Sequence, residues 1–243
     1  MSFTTWTPSA VASERLPFQL TLWRAVEAQH VVSTMALVDS LDEQQLLEDI
    51  LDAGKPPVPP AAHGLHYLLF TPFRYPPSPY GSRFRAPHDP GIFYGAPTTR
   101  TACAELGYWR WRFLMDSPAL RAIDARPQTV FEVCVKGQGI ALDAPPFDVD
   151  RAHWANPRDY GACQSMARTA RQAAVTVIRY ASVRDPGGLC HAILEPSAFC
   201  SPAPLTTTTW MLTIRRDRVI WQRDDLMQRE QYEFEAASWI APG

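Results

Sequence analysis

The sequence predicts an α+β fold, a mixed and mostly antiparallel sheet with flanking helices. Three observations carry this. Apolar residues alternate at period two in several short segments, and helical spacing is confined to a few stretches. The segments read in order as strand, helix, strand, helix and then several strands, which favours a largely antiparallel sheet over a doubly wound one. No G-x-G-x-x-G, Walker A or G-x-S-x-G pattern occurs, which argues against a doubly wound nucleotide fold and a nucleophile elbow.

Taken in order, residues 18–26 alternate as a strand, with Leu20, Leu22, Arg24 and Val26 on one face. Residues 40–53 read as a helix: Ser40 and Glu43 have capping-box spacing, Leu46, Leu47, Ile50 and Leu51 form an apolar stripe, and Gly54 closes it. Prolines crowd residues 55–90, which read as an irregular crossing with a short strand near 66–71. Residues 91–96 read as a buried strand, and after Pro97 a helix capped by Thr98 or Thr99 runs to about residue 115. A strand at 129–135 turns Phe131, Val133 and Val135 inward, and 137–156 reads as a Pro- and Asp-rich loop. Asn156-Pro157 has the form of an N-cap followed by proline at the first helical position, which places a helix over 157–173. Strands at 175–182 and 189–194 flank the turn Asp185-Pro-Gly-Gly188, and strands at 207–215 and 218–222 meet at a tight turn near Arg216-Asp217.

With 46% hydrophobic and 20% charged residues over 243 positions, the chain can bury a sizeable core. One domain over 1–243 is expected, its core at about 18–225, with an elaborated Pro-rich segment at about 27–80. A formal net charge of -2 supplies neither a broad basic surface for nucleic acid nor a polybasic membrane anchor. Five widely spaced cysteines without a C-x-x-C pair fit a reducing cytoplasm. The N-terminus lacks the basic and apolar regions of a cleaved signal, and no apolar run approaches the ~18 residues of a membrane span.

Several positions break their local pattern. Arg24 lies on the apolar face of a strand, where a guanidinium needs an anion, an internal salt bridge or a route to the strand end. The loop Gly81-Ser-Arg-Phe-Arg85 offers Arg83 and Arg85 as bidentate phosphate ligands, or simply a solvated basic loop. Tyr94 brings a flat ring with a polar tip into a buried strand, which also suits an ordinary core tyrosine. On the helix after Pro97, Ala102, Glu105, Trp109 and Arg112 share one side, so Glu105 sits within or beside the packed stripe. A carboxylate there belongs to an ion pair, a site or a solvated face. Ser182 ends a strand on the same face as Ile178 and Tyr180.

Together these pieces resemble the RES domain, the toxin half of a bacterial toxin-antitoxin pair. The matching residues are Leu22-Trp-Arg24, Gly81-Ser-Arg83-Phe, Gly91-Ile-Phe-Tyr94, Thr101-Ala-Cys-Ala-Glu105 and Tyr180-Ala-Ser182-Val-Arg184, spread over roughly residues 20 to 200. The resemblance implies an ADP-ribosyltransferase-like fold that binds NAD as substrate, uses no metal and breaks the nicotinamide-ribose bond. ADP-ribose then passes to a protein, water or phosphate. It implies that Glu105 is the catalytic carboxylate, with Arg24 and Tyr94 beside it. It also implies that Arg24, Arg83 or Arg85, Tyr94 and Ser182 contact NAD, and that a cognate Xre-type antitoxin covers the active site. Two departures stand out: Phe84-Arg85 follows the second arginine where many members have an aromatic and then Asn, and 27–80 exceeds the compact family form. That long segment favours a protein acceptor.

A reading from a different class, a nucleic-acid-binding or ribonuclease toxin, rests on Tyr108-Trp-Arg-Trp-Arg-Phe113, where aromatics interleave with arginines. At helical spacing those rings diverge. His63-Gly-Leu-His66 is the only close histidine pair and has no acidic third ligand at a recognised metal spacing.

Overall fold

The structure, a computed structural model, describes residues 6–28, 38, 40–75, 79, 81–225 and 227–240. Prolines 76 and 77 of the Pro-rich crossing lie outside them. An eight-stranded sheet organises the chain: β1 (Leu16–Glu27), β2 (Phe93–Gly95), β3 (Ile123–Ala141), β4 (Val177–Ala181), β5 (Leu189–Ile193), β6 (Thr206–Ile214), β7 (Arg218–Arg223) and β8 (Gln231–Glu235). The order is β2-β5-β4-β3-β6-β7-β8, with β1 paired to β3. Every pairing is antiparallel except β3 with β4, so the expected mixed, mostly antiparallel sheet with flanking helices is present.

The long strand β3 is the spine, paired with β1 from Gln128 to Gly139 and with β6 from Ile123 to Glu132. Because it is covered on both faces, Val130 is as buried as Phe131, Val133 and Val135. Beyond Val135 it runs on to Ala141, through residues expected to be loop. Alternation ends there, but Gly137 and Gly139 still pair with β1, so backbone hydrogen bonding keeps the strand going. The strand β8 carries no strong apolar alternation and was not expected; Phe234 alone is buried, and the edge of β7 organises the rest.

The helix Thr99–Met115 begins at the Thr98 cap, whose side chain accepts from the N–H of Thr101. It buries Cys103, Ala104, Trp111 and Leu114 against Trp210, Leu212 and Trp221 of the sheet. The helix Leu41–Ala53 also forms, with Ser40 Oγ accepting from the N–H of Glu43 at 3.2 Å. Its apolar stripe, however, is not buried: Leu46 and Ile50 remain 60% and 61% exposed.

Two further expectations are corrected. Residues 66–71 are not a strand. They enter the helix Tyr67–Arg74, whose Leu69 and Phe73, four positions apart, pack with Phe93 and Phe131 on the sheet. His66 caps this helix, its Nδ1 accepting from the N–H of Leu68. The helix expected from Pro157 starts instead at Gly161 and ends at Gln172. Asn156 Oδ1 accepts from the N–H groups of Arg158 and Asp159, which makes a local turn in place of a helix cap. No helix among the described residues is long and apolar enough to cross a membrane.

Candidate active site

The sheet brings its two distant N-terminal strands together at one point. Trp23 donates its N–H to Ala96 O at 2.7 Å and accepts from the N–H of Ala96 at 2.8 Å. That bridge closes a circuit through β1, β3, β4, β5 and β2. A cavity of about 400 Å³ opens beside it, between these strands and the helix Thr99–Met115. Its walls include Trp23, Arg24, Arg83, Tyr94, Glu105, Leu106, Trp109, Tyr160, Tyr180, Arg184 and Cys190.

Arg24 follows the bridge directly, so its side chain is held against β2. Nη1 donates to Tyr94 O at 3.0 Å, and the guanidinium carbon lies 4.7 Å from the centre of the Phe93 ring. Nε is buried without a partner, and no carboxylate among the described residues pairs with this side chain. Burial lowers its pKa to about 10, so it remains a cation at neutral pH. A buried cation without a counter-ion is costly, and an anion entering the cavity would compensate it.

The arginine loop turns at Gly81, whose φ of +67° and close approach to the Arg85 carbonyl leave no room for a Cβ. Ser82 and Arg85 then exchange backbone hydrogen bonds, which separates the two candidate arginines. Arg83 turns inward: Nη1 donates to the carbonyls of Trp154 and Asn156 at 2.8 and 3.0 Å, and the guanidinium stacks 4.8 Å from the Tyr160 ring centre. Arg85 turns away, donating to Asp89 O and Tyr75 O, and takes no part in the cavity wall.

Tyr94 anchors that loop. Its hydroxyl accepts from the N–H of Phe84 at 3.0 Å and shares a hydrogen bond with Ser82 Oγ at 2.8 Å. Burial pushes its pKa up to about 12, so the phenol stays protonated. The ring lines the cavity while the polar tip serves the loop.

Glu105 reaches the cavity from the helix. Ser182 Oγ donates to Oε1 at 2.6 Å, and the Cys190 thiol donates to the same oxygen at 3.5 Å. Oε2 receives no hydrogen bond from the described residues. Ser182 is itself fully engaged: its oxygen accepts from the N–H groups of Arg184 and Asp185 at 3.1 and 3.0 Å. It lies behind Glu105 and is not among the residues lining the cavity.

Arg24, Arg83, Tyr94, Glu105 and Ser182, which stand out in the sequence, gather at this one place. Tyr160 and Cys190 carry no signal in the sequence, and Arg184 ends one of the matching pieces without a role assigned to it. Arg184 is buried with its guanidinium carbon 3.4 Å from the Tyr108 ring centre and Nη2 donating to Pro157 O. Continuing the alternation Tyr180, Ser182 by one more step puts Arg184 on the same face. Trp109, 52% exposed, forms the cavity lip, whereas Trp111 is core and Phe113 faces a separate open groove. Arg110 and Arg112 pair with Glu27 and Asp116, so the aromatic-arginine run is not a continuous stacking surface. Among the described residues, no group of three or more His, Cys, Asp or Glu side chains is placed to hold a metal.

Fold and cavity together define an α+β protein with an arginine-lined cleft that carries a single carboxylate, Glu105. The profile of the RES domain family matches residues 58–215, and the chain belongs to that family. Arg83, Tyr94, Glu105 and Ser182 fall inside the match, and Arg24 precedes it. Among solved structures, the chain is similar to one from the M. tuberculosis MbcT-MbcA toxin-antitoxin complex, at 11% identity and a TM-score of 0.47, over 80% of this chain and 86% of that one. No curated protein matches the chain.

Proposed function

We propose that this protein is a toxin that binds NAD in the cavity and cleaves its nicotinamide-ribose bond, passing ADP-ribose to a protein side chain, water or phosphate. The observation that carries this reading is the Arg24 guanidinium, whose buried Nε has no hydrogen-bond partner and which meets no carboxylate among the described residues, set in one cavity with Arg83, Arg184 and the single carboxylate of Glu105. The arginines are suited to the diphosphate, and the Tyr94 and Tyr160 rings to flat groups. Glu105 faces the ribose with Oε2 while Ser182 fixes Oε1, which makes Ser182 a positioning residue rather than a substrate contact.

As the C–N bond breaks, both electrons leave with the nicotinamide nitrogen, which becomes neutral, so no general acid is needed. Positive charge builds on the ribose, and the pre-positioned carboxylate stabilises it. The acceptor oxygen or nitrogen then bonds to the ribose carbon and releases its proton. A protein acceptor is favoured by the exposed apolar face of the helix Leu41–Ala53, a surface of the kind that marks protein contacts. In the cytoplasm such activity requires restraint, and a cognate Xre-type antitoxin that covers the cavity mouth at Trp109 would supply it.

The test is to incubate purified, antitoxin-free protein with NAD and follow free nicotinamide and protein-bound ADP-ribose by mass spectrometry. Nicotinamide release supports the reading, and an intact NAD pool with folded protein overturns it.

A further inference from the structure

We propose that Asp185 and Gly188 are positioning residues that clamp the helix Thr99–Met115 and thereby aim Glu105, an inference that rests on the reading of Glu105 as the carboxylate acting on NAD. Besides placing the Arg184 guanidinium over the Tyr108 ring, the turn between β4 and β5 hydrogen-bonds to this helix at two levels. At one, Ser182 Oγ donates to Glu105 Oε1 at 2.6 Å. At the other, Asp185 Oδ2 accepts from Thr101 Oγ1 at 2.7 Å, while Oδ1 accepts from Arg100 Nε at 3.3 Å. Thr101 and Asp185 are both buried.

Thr101 and Glu105 are four residues apart, so they stand one above the other on the same helix face. A single contact at Glu105 limits a distance only. A second contact one turn away also limits rotation about the helix axis. The consequence is geometric: about 10° of helix rotation moves a carboxylate about 1 Å, and a misplacement of that size costs up to about a hundredfold in rate.

The turn is built to hold both contacts at once. Ser182 N–H donates to Gly188 O at 2.9 Å, Gly188 N–H donates to Asp185 O at 2.8 Å, and the N–H of Asp185 donates to Ser182 Oγ at 3.0 Å. Gly188 sits between the jaws: a Cβ there would lie 2.8 Å from Thr101 Oγ1 and 3.0 Å from Asp185 Oδ2. A side chain at 188 therefore presses directly on the Thr101–Asp185 contact. From outside, Trp239 Nε1 donates to Arg184 O at 2.8 Å and backs the turn.

The experiment compares Asp185→Asn, Thr101→Val, Thr101→Ser and Gly188→Ala with the wild type in nicotinamide release and thermal melting. Thr101→Val and Gly188→Ala are expected to lower kcat by about tenfold or more, with KM for NAD within about twofold, because binding groups are untouched. Thr101→Ser keeps the hydroxyl and is expected to retain most of the wild-type kcat. An unchanged kcat in folded Thr101→Val and Gly188→Ala overturns the clamp, as does a Thr101→Ser protein as impaired as Thr101→Val. If Asp185→Asn fails to fold, the two threonine variants decide. A wild type that leaves NAD intact, or a Glu105→Gln variant with full turnover, instead overturns the assignment of Glu105.

Discussion

The Ser182 hydroxyl donates to Oε1 of Glu105 across 2.6 Å, joining the end of β4 to the second turn of the helix that follows β2. The bond divides the carboxylate, which lines the cavity, into one oxygen held by the protein and one that takes no hydrogen bond among the described residues. Glu105→Gln keeps the shape and removes the charge, so nicotinamide release should fall by about a hundredfold to a thousandfold with NAD still bound. Ser182→Ala should cost less, about tenfold to a hundredfold, since the charge remains but its aim is lost. Both are measured together with melting temperature on the same preparations. A structural role for Glu105 would show the reverse, a lower melting temperature with normal turnover.

Arg24 and Arg83 face the cavity, whereas Arg85 is turned to the carbonyls of Tyr75 and Asp89. Lysine keeps the charge and loses the planar fork. Arg24→Lys and Arg83→Lys should therefore raise KM for NAD by about tenfold and change kcat less. Arg85→Lys should leave KM within about twofold of wild type. A raised KM in Arg85→Lys alone would reassign the phosphate contact.

Tyr94→Phe retains the ring and deletes the acceptor of the Phe84 N–H. Leaving that donor unsatisfied should cost about 1–3 kcal/mol of stability. The Arg83 loop should loosen with it and KM should rise. Chemical denaturation and Michaelis kinetics on the same variant check both effects, and wild-type stability would show that the hydroxyl does not hold the loop.

His191 on β5 is 2% exposed, and its Nδ1 has no hydrogen-bond partner among the described residues. Burial, reinforced by Arg179, lowers its pKa from 6.5 to about 4. The unfolded chain binds a proton at this site more readily than the folded one. The contribution to stability is therefore present above pH about 6.5 and is lost as pH falls towards about 4. A shift of this size corresponds to about 3 kcal/mol. Denaturant unfolding across pH 4–7 should show a shallower decline in His191→Gln than in wild type; parallel curves would remove His191 as the source.

How far local sequence reaches is visible in particular elements. Residues 18–26 alternate in sequence, and the alternation survives in β1 from Phe18 to Trp23, whereas β5 is buried on both faces from Cys190 to Ile193. Residues 66–71 carry Leu68, Leu69 and Phe70 in a row, a run that serves a strand or a helix equally, and packing of Leu69 and Phe73 on the sheet selects the helix. The stripe of Leu46 and Ile50 has the right period for burial, yet period alone does not supply a surface to bury against.

By itself the sequence determined the α+β class, the capped helix that carries Glu105, and the residues Arg24, Arg83, Tyr94, Glu105 and Ser182 as departures from local pattern, because an arginine or carboxylate in an apolar stripe is costly wherever it is met. Only the tertiary structure decided which of them meet. The choice of Arg83 over Arg85 depends on a turn closed between Ser82 and Arg85, and the phenol of Tyr94 is taken up by that same loop. Ser182 is committed to Glu105, and Arg184 joins the wall, through contacts between residues tens of positions apart. Hydrogen bonds reach about 3 Å and are directional, so which partner a side chain takes is set by the chain's path through space rather than by its neighbours in sequence.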